Sequence, residues 1–362
     1  MNTKLILGIL FILLIPNIEL GQVYGSNAEI LSKNIINEKL ELQFPNDHNA
    51  HKNFRTEWWY ITANLTNNEG DYFGIQWTLF RNKTDSKKIS STIKSTNNPW
   101  ASNQFWMAHA VVTSEKDHYY HEKFSRGGTG QAGVKNTPFL AWIDDWEFSS
   151  NNNWSSASIK AEGEKFSYEL NLESNGPLIL HGQNGISIKT KENHYSAYYS
   201  QPFFKADGRL TINNKTFYVK GNAWADREWS NAILGSSQEG WDWVSLHLDD
   251  QTKLMIFKVR DNKNGDFYSG TYISNKKVKH NLFNGDIEMI PLIYNKKEDS
   301  INIKTWEVPT EWRIIVKKHQ IDINLKALNK NAFINTIVPY WEGPISFKGS
   351  HSGLGYLEMT GY

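Results

Sequence analysis

The chain has 362 residues, contains no cysteine and carries a formal net charge of +1 at pH 7. The absence of cysteine excludes disulfides, lipid attachment through cysteine and thiol catalysis. A near-zero charge without a basic block gives no indication of a nucleic-acid or anionic-membrane partner. With 15 Trp, 16 Tyr and 18 Phe residues, the fold must be stabilised largely by burial of aromatic side chains.

The first 25 residues have the layout of a secretory signal peptide. Lys4 supplies the positive charge, residues 5–15 form an apolar run, and Pro16 ends it before a cleavage point ahead of Ser26. The run is shorter than the ~20 residues that a membrane-spanning helix needs, although an uncleaved N-terminal anchor is an alternative. We predict a secreted or periplasmic protein that loses residues 1–25 and has no stable membrane insertion afterwards.

Alternation of apolar and polar residues with a period of two dominates the rest of the chain. One short helix is predicted at residues 27–37. Strands are predicted at residues 73–80, 106–113, 241–248 and 254–260. Clusters of Asn, Asp and Gly between them have the composition of turns. Many short strands at hairpin spacing favour β-barrels or sandwiches.

A weak internal repeat indicates two related halves. Residues 59–81 and 241–260 each contain a Trp-led strand, an acidic or Asn-rich turn, and an apolar strand that ends in Arg. The repeat predicts two β domains with a join near residues 204–208, which gives an N-terminal domain of residues 26–204 and a C-terminal domain of residues 205–362. A closed barrel leaves an interior that is either packed or able to hold a ligand.

The segment AWADREWS carries the most chemically suggestive side chains. On a strand, Trp224, Asp226 and Glu228 share one face, and Arg227 takes the other. Burial beside Trp and a second carboxylate would both raise the pKa of Asp226, so that it could act as a general acid. The alternative is a salt-bridged rim in which Arg227 or another Arg neutralises one of the two carboxylates.

Three further residues, two tyrosines and one histidine, have two interpretations each. Tyr198 and Tyr199 point to opposite faces of an extended segment, so one could line a cavity, or both could belong to ordinary barrel packing. His109 shares a strand face with Met107 and Val111. It is either a core histidine with satisfied hydrogen bonds or a residue that faces a ligand.

The sequence gives little support for a metal site. His48 and His51 are three residues apart and close to Asp47 and Glu57, but no third ligand is fixed by the sequence. The Pro and Asn residues around them indicate a loop rather than a helix that presents ligands. We predict no metal, and local hydrogen bonding as the role of this loop.

Several motifs in a fixed order carry a resemblance to a known family. EWWY lies at residues 57–60, WMAHAVVT at 106–113, YYSQPFF at 198–204, DREWS at 226–230 and GYLEMTGY at 355–362. Together they resemble the AttH/CrtC family, which includes the carotenoid 1,2-hydratases (hydroxyneurosporene synthases), over nearly the whole mature chain. The resemblance implies an all-β fold of two tandem lipocalin-like antiparallel β-barrel domains.

The resemblance also implies a reaction. In the hydratases of this family a cofactor-free mechanism is expected, in which an acid protonates a terminal isoprenoid double bond and water captures the resulting cation. Asp226 matches the suspected proton donor. Tyr199 and Trp224 would line the pocket, where aromatic faces can stabilise a cation.

The function predicted from all of this is an exported lipocalin-like protein that binds an apolar or isoprenoid-like small molecule. As an enzyme it would be a cofactor-free hydratase or cyclase, with Asp226 and Tyr199 as catalytic residues. The expected ligand contacts are Trp59, His109, Tyr198, Trp224, Glu228, Trp241 and Trp243. A non-catalytic carrier or chaperone of a hydrophobic ligand is the alternative, and a glycan-binding or assembly module with exposed Trp residues is a third reading.

Overall fold

The structure is a computed structural model that describes residues 36, 39–84, 102–191, 194–231, 234–235, 237–299 and 304–362. Within these ranges the chain forms β-strands and short 3₁₀ turns, such as Asn46–His48 and Lys317–His319, but no α-helix. The all-β prediction is confirmed. The predicted signal peptide lies outside the described residues, as does the helix predicted at 27–37 apart from Ile36. No helix in the described part is long and apolar enough to cross a membrane.

The first sheet is antiparallel and curves into a nearly closed barrel. Its 13 strands are β1 (Thr56–Thr66), β2 (Tyr72–Lys83), β3 (Gln104–Ser114), β4 (His118–Arg126), β5 (Ala132–Asn136), β6 (Phe139–Ile143), β7 (Trp146–Ser150), β8 (Ser156–Gly163), β9 (Phe166–Ser174), β10 (Ile179–Leu180), β11 (Ile186–Ile188), β12 (Tyr195–Ile212) and β13 (Lys215–Ser230). The order across the sheet is β4-β3-β2-β1-β13-β12-β9-β8-β7-β6-β5, with β10 and β11 both paired to β12.

The second sheet is a half-barrel. Its ten strands are β14 (Gln238–Leu248), β15 (Lys253–Asp261), β16 (Phe267–Ile273), β17 (Lys279–Leu282), β18 (Glu288–Asp299), β19 (Lys304–Val316), β20 (Ile321–Ala327), β21 (Phe333–Ile334), β22 (Tyr340–Gly349) and β23 (Gly353–Thr360). The order is β17-β16-β15-β14-β23-β22-β20-β19-β18, with β21 paired to β22. The two sheets agree with the predicted pair of lipocalin-like domains.

Sheet pairing changes from the first sheet to the second between Ser230 and Gln238. The long strands β12 and β13, which carry residues 195–230, therefore belong to the first sheet by hydrogen bonding. The division into domains of residues 26–204 and 205–362 stays a prediction, and the hydrogen-bonded sheets divide later in the chain, after Ser230.

The alternation in the sequence sorts side chains into three apolar layers. On β1, Trp59 and Ile61 are buried in the core of the first sheet, whereas Tyr60 belongs to a separate cluster between the sheets. On β14, Val244 lies in the core of the second sheet, and Trp243 faces the same intermediate cluster as Tyr60. Successive strand residues point to opposite faces, so both sheets turn one aromatic face toward each other.

The interior of the first barrel is filled by its own side chains. Trp59, Trp77, Trp146 and Trp154 are completely inaccessible to solvent and belong to one continuous cluster. Such dense packing leaves few voids larger than a water molecule. The space between the two sheets is therefore a better candidate for a ligand site than the interior of this barrel.

A buried ion network closes one end of the first barrel. Glu57 on β1 pairs with Arg81 on β2 and with Arg227 on β13, and all three side chains are inaccessible to solvent. Burial alone would raise the pKa of Glu57, but the two guanidinium groups, with His51, hold that pKa well below its usual range. The network fixes the register of the three strands that also carry the candidate site.

Candidate functional site

A pocket lies between the two sheets and is lined by aromatic and acidic side chains. The first sheet contributes Trp58, Tyr60, Gln76, Phe80, Tyr198, Asp226 and Glu228. The second sheet contributes Trp241, Trp243, Phe257, Tyr340, Glu342 and Glu358. The open space amounts to about 40 Å³, which accommodates a few water molecules at most. A larger ligand therefore requires its walls to move apart, most readily at the half-buried Trp58 and Phe80.

Strand register on the first sheet places the polar groups side by side. Tyr60 on β1 is directly opposite Asp226 on β13, which in turn is opposite Ser200 on β12. One pleat further, Glu228 lies between Trp58 and Tyr198 in the same way. Because directly opposed residues point to the same face, the aromatic rings and both carboxylates are presented together.

The second sheet presents a matching row. Glu358 on β23 lies between Trp243 on β14 and Glu342 on β22. The indole nitrogen of Trp241 donates a hydrogen bond to Glu358 at 3.0 Å, and the hydroxyl of Tyr60 reaches across from the first sheet to donate to Glu342 at 2.6 Å. Acidic groups from both sheets thus converge on one pocket.

Asp226 is a buried carboxyl group with three donors around it. The Tyr198 hydroxyl donates to Oδ2 at 2.8 Å, the Trp224 indole donates to Oδ1 at 2.7 Å, and the Ser200 hydroxyl donates to Oδ1. These bonds favour the carboxylate. Burial outweighs them and, with the negative charge of Glu228 acting in the same direction, raises the pKa of Asp226 to about 7. Asp226 can therefore hold a proton near neutral pH and release it to an acceptor.

The other carboxyl groups of the pocket are also shifted. Burial raises the pKa of Glu358 to about 7, and the charges of Asp226 and Glu228 add to this effect. Burial raises the pKa of Glu342 well above its usual range. Like charges in a dry site disfavour simultaneous ionisation, and this repulsion acts in the same direction as burial at each of these groups.

Glu228 differs because a cation lies beside it. The ammonium of Lys189 is 2.9 Å from Oε1 of Glu228, and both side chains are buried. The same ammonium lies over the rings of Tyr198 and Phe257, at 4.4 and 4.1 Å from the ring centroids. The predicted alternative was a salt-bridged rim with Arg227 or another Arg as the cation; in the structure the cation beside Glu228 is the buried Lys189, and Arg227 pairs with Glu57 instead.

The arrangement can perform acid–base chemistry on an uncharged molecule. Asp226 offers a proton, Glu358 offers a second carboxyl group of similar acidity, and aromatic faces surround the space between them. A carboxyl group with a pKa near the working pH is suited to general acid catalysis. Tyr and Trp faces attract a positive charge that develops nearby.

Most of the residues predicted from sequence meet at this pocket. Asp226, Tyr198, Glu228, Trp241 and Trp243 line it directly. Trp224 contacts it indirectly, through its hydrogen bond to Asp226.

His109 does not line the pocket itself but contacts a residue that does: its Nδ1 is 2.8 Å from the hydroxyl of Tyr340. It is a buried histidine with a partner at each ring nitrogen.

Two predicted residues point the other way. Tyr199 belongs to the core of the first barrel, where its hydroxyl is 2.7 Å from Nδ1 of His48. Trp59 is also in that core and donates from its indole nitrogen to the carbonyl of His48 at 2.9 Å. Each is adjacent in sequence to a residue that does line the pocket, and strand alternation sends the neighbours to opposite faces.

The sequence analysis missed Tyr60, Tyr340, Glu342 and Glu358. All four lie on alternating strands with bulky apolar neighbours, in the segments EWWY, YWEG and GYLEMTGY. A signal was present, because a Glu at a strand position with apolar residues on both sides is expensive to bury and rarely occurs without a role. What the sequence lacked was the packing of one sheet on the other.

The loop with two histidines forms local contacts. His48 stacks on Trp154 with ring centroids 4.6 Å apart. His51 contacts Asp47 and Arg227. Across the residues that the structure describes, no group of three or more His, Cys, Asp or Glu side chains could hold a metal ion.

Comparison with known proteins gives one family. The family model described as AttH-like matches residues 36–362. No curated protein matches the sequence.

Several solved structures have a similar fold. The structure of an AttH from Nitrosomonas europaea has a TM-score of 0.77 and 26% identity, and covers 91% of this chain and 99% of its own. Kievitone hydratase from Nectria haematococca has a TM-score of 0.66 and 15% identity, with 91% and 96% covered. CghA, solved with Sch210972, has a TM-score of 0.53 and 9% identity, with 84% and 88% covered.

Proposed function

The chain belongs to the AttH-like family, and we propose that it is an exported, cofactor-independent hydratase or cyclase of an apolar, isoprenoid-like small molecule. The observation that carries the proposal is Asp226, a buried carboxyl group whose pKa is raised to about 7 inside an aromatic pocket. Similarity of fold to kievitone hydratase supports hydration as the reaction class by analogy only.

The proposed reaction begins with proton transfer from Asp226. Its proton forms a new C–H bond with one carbon of a substrate double bond, and the neighbouring carbon becomes a cation. The rings of Trp58, Tyr198 and Trp243 surround that position and would stabilise the cation. Water then forms a C–O bond and loses a proton to a base, which gives an alcohol. In a cyclase, a second double bond of the substrate would replace the water.

Turnover in labelled water tests this proposal. The mature protein is incubated in H₂¹⁸O with kievitone, geraniol and lycopene, as well as with any compound that co-purifies with it from its host. We expect one of these alkenes to gain H₂¹⁸O, or to cyclise without a change of mass. Asp226→Asn should reduce the rate at least about 100-fold and leave binding unchanged, because the amide keeps the shape of the side chain but cannot donate this proton.

The matched control is Asp207→Asn, which changes an exposed aspartate on the neighbouring strand β12. It should turn over at the wild-type rate. Full activity of Asp226→Asn would remove Asp226 as the acid. Tight binding of a compound that is always released unchanged would instead support the non-catalytic carrier.

Export is part of the proposal and rests on the N-terminal sequence, with Lys4, the apolar run at residues 5–15 and Pro16. We expect the protein in the periplasmic or secreted fraction of its host, with a mass that corresponds to cleavage before Ser26. Recovery of the full-length chain from the cytoplasmic fraction would contradict export and leave the chemistry of the pocket untouched.

A further inference from the structure

A buried histidine connects one wall of the pocket to the protein surface. Nδ1 of His109 is 2.8 Å from the hydroxyl of Tyr340, and its Nε2 is 3.1 Å from Oε1 of Glu122. Tyr340 comes from the second sheet and lines the pocket. His109 is 1% exposed, whereas the side chain of Glu122 is 16% exposed. The three side chains therefore lead from the pocket to solvent.

The hydrogen bonds fix the direction of this chain. An ionised Glu122 can only accept a hydrogen bond, so Nε2 of His109 carries the proton and Nδ1 is left as an acceptor for the Tyr340 hydroxyl. The side-chain amide of Gln76 donates to the Tyr340 oxygen at 3.0 Å. The Tyr340 oxygen thus accepts from Gln76, and its own proton can be donated to Nδ1 of His109.

The surroundings hold the chain in place. His109 and Glu122 are directly opposite each other on β3 and β4, and the His109 ring stacks on Tyr340 with centroids 5.6 Å apart. Glu342 also forms a hydrogen bond with Tyr340. Burial raises the pKa of Glu342 well above its usual range, while the hydrogen bond with Tyr340 acts in the opposite direction.

We propose that Tyr340, His109 and Glu122 form a proton-accepting triad that activates the water of the hydration reaction, with Tyr340 as the catalytic residue that touches the water and the other two as positioning residues. The inference rests on the proposed hydration and deepens it by naming the base. The order of carboxylate, imidazole and hydroxyl is the one that activates hydroxyl groups in nucleophilic catalysis.

The proton balance of the step is complete. As the water oxygen forms its bond to the carbocation, one water proton moves to the Tyr340 oxygen, and the phenol proton moves to Nδ1 of His109. His109 becomes an imidazolium that faces the Glu122 carboxylate, and Asp226 is left ionised after it has protonated the alkene. Release of one proton to solvent past Glu122, and uptake of one proton by Asp226, restore the starting state.

Chemical labelling tests the triad without a substrate. Benzenesulfonyl fluoride forms an O–S bond with an activated tyrosine and expels fluoride, and peptide mass spectrometry gives the rate at each tyrosine of the mature protein. We expect Tyr340 to react at least about tenfold faster than in His109→Gln. Glu122→Gln should give an intermediate rate. Tyr218, which is 73% exposed, should react equally in all three proteins.

A pH series separates proton transfer from a structural role. In His109→Gln the rate at Tyr340 should recover as the pH rises, because hydroxide replaces the missing base, whereas a distorted pocket would not recover. Equal labelling of Tyr340 in wild type and His109→Gln would overturn the triad, and so would unreactive Tyr340 in a wild-type protein whose Tyr218 reacts. If labelling of Tyr340 depends on His109 but no compound is hydrated, the proposed hydration is wrong and the proton-accepting triad is still supported.

Discussion

The two sheets of this protein share one topology and use it differently. In each, four strands form a meander, and the last strand of the sheet pairs with the first: β4-β3-β2-β1-β13 corresponds to β17-β16-β15-β14-β23. The first sheet then adds further strands and closes around a tryptophan-rich core, whereas the second stays half open. The shared order agrees with the duplication that the sequence repeat predicts.

The buried carboxyl groups lie between the two sheets rather than inside the first barrel. The interior of the first barrel is packed with its own rings. The faces that the two sheets turn toward each other carry the buried carboxyl groups, with Asp226 on the last strand of one sheet and Glu358 on the last strand of the other. Equivalent strands thus supply equivalent acids to one pocket at the joint.

The two sheets also differ at the Arg residues that end the two sequence repeats, because the carboxylates paired with these residues have pKa values shifted in opposite directions. Arg81 binds Glu57 in the first sheet, and Arg260 binds Asp242 in the second. Glu57 has a second cation, Arg227, and its pKa lies well below the usual range. Burial raises the pKa of Asp242 despite Arg260 and Lys258. Ion pairing thus dominates the pKa of Glu57, and desolvation dominates the pKa of Asp242.

The largest expected effect follows from this contrast. Glu57→Gln leaves Arg81 and Arg227 buried without their carboxylate, which should lower the free energy of unfolding by about 3 to 5 kcal/mol at pH 7. Asp242→Asn should cost clearly less, because its carboxylate is already disfavoured by burial. Urea denaturation of the two variants measures the difference. Equal losses would mean that the two networks are energetically equivalent and that the comparison fails.

A pH-dependent effect of intermediate size is expected from Asp226. Its pKa is raised from the model-peptide value of 3.8 to about 7 in the folded protein. The folded state therefore binds more protons than the unfolded state between these values, and stability falls as the pH rises through that window. From pH 5 to pH 8 the wild type should lose about 2 to 3 kcal/mol relative to Asp226→Asn.

Denaturant titrations of both proteins at matched pH values give this difference directly. Glu358 adds a slope of the same sign in the same window, and it is present in both proteins, so it largely cancels. A difference that does not change between pH 5 and pH 8 would show that Asp226 has an ordinary acidity.

The smallest expected effects come from two neighbouring tyrosines, one inside the first barrel and one in the pocket between the sheets. Tyr199→Phe removes a buried hydrogen bond to His48 and should cost about 1 kcal/mol of stability, with turnover unchanged. Tyr198→Phe removes a donor to Asp226, which should shift the pH profile of turnover upward because that bond favours the carboxylate. Loss of turnover in Tyr199→Phe would instead indicate that the active site lies inside the first barrel, where Tyr199 is buried.

Much of the fold could be predicted from the sequence. Period-two alternation and turn residues predicted an almost all-β chain, and the sequence repeat predicted two halves. Asp226 could be singled out because a carboxylate that shares a strand face with Trp224 and a second carboxylate, Glu228, is costly to bury. These are local properties of a strand, and local patterns are what a single sequence records.

Properties that depend on packing between distant strands could not be predicted. Alternation places Tyr198 and Tyr199 on opposite faces but does not say which face meets the other sheet, and Tyr199 was selected although it points into the barrel. Glu342 and Glu358 are more than 110 residues from Asp226 in sequence. They meet it only because one sheet packs on the other, which no spacing motif encodes.

The central claim is that the joint between the sheets holds a carboxyl group that is protonated near neutral pH. Infrared spectra of the wild type minus Asp226→Asn, recorded from pH 4 to pH 9, isolate the carboxylic acid band of Asp226. We predict that the band disappears with a midpoint at about pH 7. A midpoint near the ordinary value of about 4 would show that Asp226 is ionised at neutral pH and would contradict its role as the acid.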